Sequence, residues 1–74
     1  MADEVLDAKN LNCPLPILKA KKAINNLATG ATLQVLATDP GSVKDFEAFC
    51  RTTGHELLES GEDGGVFNFI IKKA

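Results

Sequence analysis

The sequence predicts a two-layer α/β sandwich of order β-α-β-α-β-β, a four-stranded mixed sheet with two helices on one face. Three observations predict it. Two stretches repeat apolar residues at three- and four-residue steps, as helices with one buried face do. Four shorter stretches are compact apolar runs or alternate with period two, as strands do. The links are short, so the first strand, helix and second strand form a parallel crossover.

Glu4-Val5-Leu6-Asp7-Ala8 reads as a short strand centred on Val5 to Ala8, and residues 9–12 form the loop after it. From Pro14 to about Ala28 the pattern is helical: Ile17, Ala20, Ile24 and Leu27 line one face and Leu18 widens it, while Lys19, Lys22 and Asn26 face away. Thr29-Gly30 ends this helix. Thr32 to Ala37 is a strand with Leu33, Val35 and Ala37 on one side. In the next turn Asp39 before Pro40 suits an N-cap, and Ser42 with Asp45 offers an alternative capping box. The second helix carries Val43, Phe46, Phe49 and Cys50 on one stripe and stops near Thr53-Gly54. His55 to Ser60 and Val66 to Lys72 are the last strands, joined by a flexible hairpin loop over Gly61 to Gly65. Phe67, Phe69 and Ile71 are expected beneath the helices. The opposite sheet face stays open, with Leu36, Val66 and Ile70 on it.

Seventy-four residues make one domain, 1–74. A hydrophobic content of 45% is too high for a disordered chain. Eight basic against ten acidic residues give a net charge of −2, which argues against direct nucleic-acid binding. No apolar run approaches the ~20 residues needed to span a bilayer. Met1-Ala2-Asp3-Glu4 lacks the layout of a signal peptide, so a cytoplasmic monomer off the membrane is expected. Cys13, Cys50 and His55 lack the spacing of a zinc site. Neither a metal nor a cofactor is expected.

Cys13 carries the chemistry. Asn12 or Cys13 serves as N-cap with Pro14 at the first helical position, and Pro14 and Pro16 support the turn. A thiol there faces free N–H groups and the positive end of the helix dipole, which favour the nucleophilic thiolate. Cys50 shares a stripe with Phe46 and Phe49 and reads as a small core residue. His55, just past a helix end, reads as a cap for carbonyls or a partner of the helix dipole. No base stands beside Cys13 in sequence, and a Cys13–His55 pair would need tertiary proximity, so a hydrolase or transferase site reads as incomplete. Such a thiol suits carrying a group covalently rather than processing a substrate. Lys19, Lys21 and Lys22 form either an ordinary solvated face or a surface for an acidic partner. Asp39 and Asp45 read as helix caps, or as partner contacts beside the Cys13 turn.

Asn12-Cys13-Pro14-Leu15-Pro16 resembles the CPxP signature of the TusA/SirA-like sulfur-carrier family. Leu6-Asp7, Thr38-Asp39-Pro40-Gly41-Ser42, and Phe49-Cys50 with Gly54-His55-Glu56-Leu57 are similar to its later landmarks, so the likeness spans the chain. The resemblance implies that Cys13 accepts sulfane sulfur as a persulfide and relays it to another protein. It implies a cysteine desulfurase or rhodanese-like sulfurtransferase as donor and a DsrE-like protein as acceptor. The implied pathways are tRNA 2-thiouridine synthesis and dissimilatory sulfur oxidation. Lys21 and Asp39 match positions that relatives use for partner docking. Asn12, Leu15 and Asn25 depart from the Arg, acidic and basic residues of many tRNA-thiolation members, which tilts the expectation toward sulfur oxidation. The contrasting reading is a noncatalytic regulatory or interaction module that uses the open sheet face, with Cys13 as a mere cap.

Overall fold

The computed structural model describes residues 3–12 and 15–74. The elements follow the expected order: β1 (Glu4–Ala8), α1 (Leu15–Asn25), β2 (Thr32–Ala37), α2 (Ser42–Thr53), β3 (Glu56–Asp63) and β4 (Val66–Lys72). They build one mixed sheet in the order β1-β2-β4-β3. β1 and β2 run parallel with Ala8 opposite Ala37, and β4 runs antiparallel to both β2 and β3.

Period two decides which sheet face is buried. Leu33, Val35 and Ala37 of β2 and Phe69 and Ile71 of β4 are fully buried. Thr32, Gln34 and Leu36 alternate with them and are half-buried. Both helices lie on the first face. α1 contributes Ala20 and Ile24, and α2 contributes Phe46, Phe49 and Cys50. Phe46 stacks on Phe69 with ring centroids 4.7 Å apart and meets Phe49 edge-on at 6.3 Å. These offset and T-shaped contacts suit the ring quadrupoles. On the open face, Gln34 Nε2 donates to Asn68 Oδ1 at 2.9 Å between half-buried Leu36, Val66 and Ile70.

Several boundaries differ from the sequence expectation, each for a physical reason. α1 ends at Asn25 rather than near Ala28, because Asn26 and Leu27 donate to Ala23 and Ile24, tightening the last turn to i→i−3 bonds. The orphan carbonyls there are met from β4's end: Lys73 Nζ donates to Leu27 O at 2.6 Å and Asn25 O at 3.4 Å. Leu18 does not widen the buried stripe. It is 55% exposed, while Pro16 is buried in its place.

β3 extends to Asp63, so the hairpin connection shrinks to Gly64 and Gly65, both at positive φ (60° and 87°). That is the left-handed pair a tight two-residue turn needs. A register shift between Leu57 and Glu59 leaves Leu58 44% exposed.

The start of α2 follows neither expected cap. Gly41 occupies the N-cap position with no side-chain capping bond, and the Ser42–Asp45 box does not form. Asp39 instead closes a turn ahead of the helix, accepting the Gly41 N–H on Oδ1 at 3.1 Å and the Ser42 N–H on its backbone carbonyl at 2.9 Å. At the other end Gly54 (φ 85°) terminates α2 as expected, donating to Cys50 O.

Candidate functional site

The parallel pairing of β1 and β2 brings two strand-to-helix turns side by side at the carboxyl ends of these strands. Such ends are where open α/β sheets present functional groups. The two turns are joined directly, since the Asn10 N–H donates to Thr38 Oγ1 at 2.9 Å. Within the first turn, Lys9 N–H donates to Asp7 Oδ1, Leu11 N–H to Ala8 O, and Asn10 adopts a left-handed backbone (φ 67°). Asparagine tolerates that conformation better than most residues. The chain then enters α1 with the Leu15 N–H donating to Asn12 O at 2.8 Å.

Cys13, the expected carrier, and Pro14 of its supporting turn lie outside the described residues. Asn12 and Leu15, which bracket them, are both exposed, and Pro16 is buried beneath the first turn of α1.

The electrostatics of the two helix starts differ. α1 has no acidic residue in its first turn. α2 has Asp45 in its own, and the Asp39 carboxylate lies beside it. A methyl group at Gly41 would meet Asp39 Oδ1 at 3.7 Å and Asp45 Oδ2 at 4.0 Å, so both carboxylates flank one backbone position. The positive end of α2 is thus answered by the protein's own carboxylates, while the first turn of α1 from Leu15 carries none.

Asp39 sits in the second turn, half-buried, beside the loop that leads to Cys13. Lys21 lies elsewhere, exposed on α1 and lining a groove between α1 and α2 with Asp45. Asp45, which flanks Gly41 together with Asp39, also lines the groove with Lys21, so the two expected docking residues lie on either side of it.

Cys50 is 5% exposed against the Phe46–Phe49 stripe, and burial pushes its thiol pKa up. A thiol held protonated in the core is a poor attacker of a disulfide or persulfide. Among the described residues His55 has no hydrogen bond to a helix carbonyl. Its Nδ1 accepts the Ala74 N–H at 3.0 Å, and its ring lies 5.7 Å from that of Phe49.

Ser42 was legible only as a possible cap. In the structure it is 1% exposed, and its hydroxyl has no hydrogen-bond partner among the described residues. Its spacing to Phe46, Phe49 and Cys50 (i, i+4, i+7, i+8) was the available signal, since it heads the buried stripe.

Among the described residues no cluster of His, Cys, Asp and Glu is arranged to hold a metal ion, and no helix is long and apolar enough to cross a membrane.

Comparison with known proteins places the chain among sulfur proteins. Residues 4–73 match the family model described as Sulfurtransferase TusA. The chain is 62% identical over 72 residues to the Sulfur carrier protein TusA of Allochromatium vinosum, covering 97% of this chain and 95% of that one. It is 48% identical over 71 residues to the Sulfur carrier protein TusA of Pseudomonas putida, covering 96% and 89% respectively. The crystal structure of a SirA-like protein from Desulfitobacterium hafniense superposes with a TM-score of 0.83 at 28% identity, covering 93% of this chain and 95% of that one.

Proposed function

The chain belongs to the TusA family, and from that premise we propose that it is a sulfur carrier that holds sulfane sulfur as a persulfide on Cys13. The observation that supports this most is the contrast between the helix starts. α1 has no carboxylate in its first turn to oppose a thiolate or persulfide anion, whereas α2 has Asp45. The buried Cys50 removes a competing nucleophile that would otherwise resolve the persulfide into a disulfide.

The transfer is thiol exchange. The Cys13 thiolate attacks the terminal sulfur of a persulfide on the donor protein. The donor's sulfur–sulfur bond breaks, its cysteine leaves as a thiolate, and a new sulfur–sulfur bond forms on Cys13 with the terminal proton carried along. No electrons are gained or lost overall. In the onward step, an acceptor thiolate takes the same terminal sulfur and Cys13 leaves as thiolate.

The donor in this reading is a cysteine desulfurase or a rhodanese-like protein, and the acceptor is DsrE-like. Lys21 and Asp39 are contacts for these partners. Asn12, Leu15 and Asn25 favour a route in sulfur-compound oxidation over tRNA 2-thiouridine synthesis.

The test is to incubate the chain with a cysteine desulfurase and cysteine, or with a rhodanese and thiosulfate, then re-isolate it and assay sulfane sulfur by cyanolysis. Wild type is expected to carry sulfur and Cys13→Ser to carry none. Equal loading of Cys13→Ser would sink the proposal. A competing reading, partner binding on the open sheet face, draws on the 57% exposed Val5 and 44% exposed Leu58. It predicts that Cys13→Ser keeps full function while polar substitutions at Leu36 or Ile70 abolish it.

A further inference from the structure

The two strand-to-helix turns are fastened to each other by a side chain that sulfur chemistry leaves unassigned. Parallel pairing sets Ala8 opposite Ala37, both fully buried, at the last rung of β1 and β2. Thr38 follows Ala37 and is half-buried, and its Oγ1 accepts the Asn10 N–H at 2.9 Å just beyond that rung. Sheet register makes this contact, for the two residues stand 28 apart in sequence.

The loop after β1 changes direction at the same point. Asn10 has φ 67° and is the one non-glycine at positive φ among the described residues. That conformation is uncommon and persists where its surroundings over-determine it. The Lys9 N–H donates to the Asp7 carboxylate and the Leu11 N–H to the Ala8 carbonyl, so both bonds stay within β1 and its own turn. The Asn10 bond crosses to the next turn, and Leu11 beside it packs against the core. Asn10 and Leu11 together set the direction in which the chain leaves the sheet toward Cys13. On the far side, Thr38 precedes Asp39, whose carboxylate and carbonyl close the turn ahead of α2. One hydroxyl thus joins the loop that leads to Cys13 to the turn that carries Asp39.

We propose that Thr38 is a positioning residue for sulfur transfer between proteins: its hydroxyl holds Asn10 left-handed and so fixes how the Cys13 loop stands against the second turn. The inference rests on the carrier reading and deepens it. A partner docked against the second turn must present its persulfide in line with the incoming thiolate, and a small misplacement of one reacting atom slows such a step steeply. A small sulfur donor has no such constraint, because nothing else on it is docked. Thr38 therefore acts on transfer from a protein donor more than on transfer from a small one.

The test compares two donors of the same sulfur, a rhodanese in its persulfide form and inorganic polysulfide. Loading of Cys13 is followed by intact mass at saturating donor, and the rate from rhodanese is divided by the rate from polysulfide. Thr38→Val keeps the branched shape and deletes the acceptor, and is expected to lower this ratio about fivefold or more. Thr38→Ser keeps the hydroxyl and is expected to restore it to within about twofold of wild type. Asn10→Val leaves Thr38 intact but disfavours the left-handed conformation, and should lower the ratio likewise.

An unchanged ratio in Thr38→Val would overturn the proposal, including the case in which both rates fall together, as they would from a general loosening of the fold. So would a ratio in Thr38→Ser as low as in Thr38→Val. Wild type that loads from polysulfide but not from rhodanese also overturns it, since there is then no docked transfer to position. Wild type that takes up sulfur from neither donor defeats the carrier reading instead.

Discussion

Ser42→Ala is expected to stabilise this protein, although it deletes a polar group in the first turn of a helix. Loss of a capping serine ordinarily costs about 1 kcal/mol. Here Gly41 holds the N-cap position, α2 has no side-chain capping bond, and the Ser42 hydroxyl is buried without a partner among the described residues. Leaving such a group dehydrated costs about 1–3 kcal/mol, and alanine removes that cost along with one oxygen atom. The lost packing of one atom offsets part of it, so the net expectation is a gain of about 1 kcal/mol. For a domain this small, that is a rise in Tm of roughly 4–8 °C. Urea unfolding followed by far-UV circular dichroism measures it, with the midpoint rising at constant m-value. Ser42→Thr is the companion variant, because its added methyl overpacks a site that is 1% exposed and is expected to cost about 1–3 kcal/mol. A destabilisation of about 1 kcal/mol or more in Ser42→Ala would show the hydroxyl to be bonded in solution and would refute this account of how α2 begins.

Two further outcomes follow from the same contacts. Lys73→Ala removes the ammonium that meets the Leu27 and Asn25 carbonyls, and the urea midpoint is expected to report a loss of about 0.5–1.5 kcal/mol. Lys73→Met, which keeps the apolar stem, should lose about as much if charge and hydrogen bonding carry the effect. Burial raises the Cys50 pKa in the folded state, so above the unfolded thiol's pKa, near 8.5, the unfolded chain binds fewer protons than the folded one. The thiol's contribution to stability is therefore complete below that pH and declines as pH climbs from there toward the folded pKa. Cys50→Ala should flatten this alkaline decline in a series of urea midpoints, and native-state thiol labelling should reach Cys50 only on unfolding.

The fold was legible because its strands and helices have clean periods. Phe67, Phe69 and Ile71 alternate with Val66, Asn68 and Ile70; Phe69 and Ile71 are buried as the alternation requires, while Phe67 at the start of the strand is half-buried like its alternates. What was not legible depended on distant partners. Five residues, Asp39 to Val43, hold several possible helix starts, and local pattern does not choose among them. Burial of Ser42 at the head of the Phe46–Cys50 stripe does. The end of α1 depends on Lys73, 46 residues beyond Leu27. Glu59 to Asp63 has poor strand propensity and is held extended by pairing with β4. The spacing of Leu18 fits the stripe, but the gap between the helices leaves it in the groove instead. For the site, the position of Cys13 before Pro14 and the lack of acid in the first turn of α1 are properties of sequence alone. The junction of the two turns through Asn10 and Thr38 needed the sheet register.

The central claim is that Cys13, and not Cys50, carries sulfur. The most direct measurement is intact-mass analysis of the chain after exposure to a persulfide donor, followed by peptide mapping before and after dithiothreitol. The account predicts a gain of one sulfur atom, located on the peptide containing Cys13 and removed by the thiol. Sulfur found on the Cys50 peptide, or no uptake at a reduced Cys13, would contradict it.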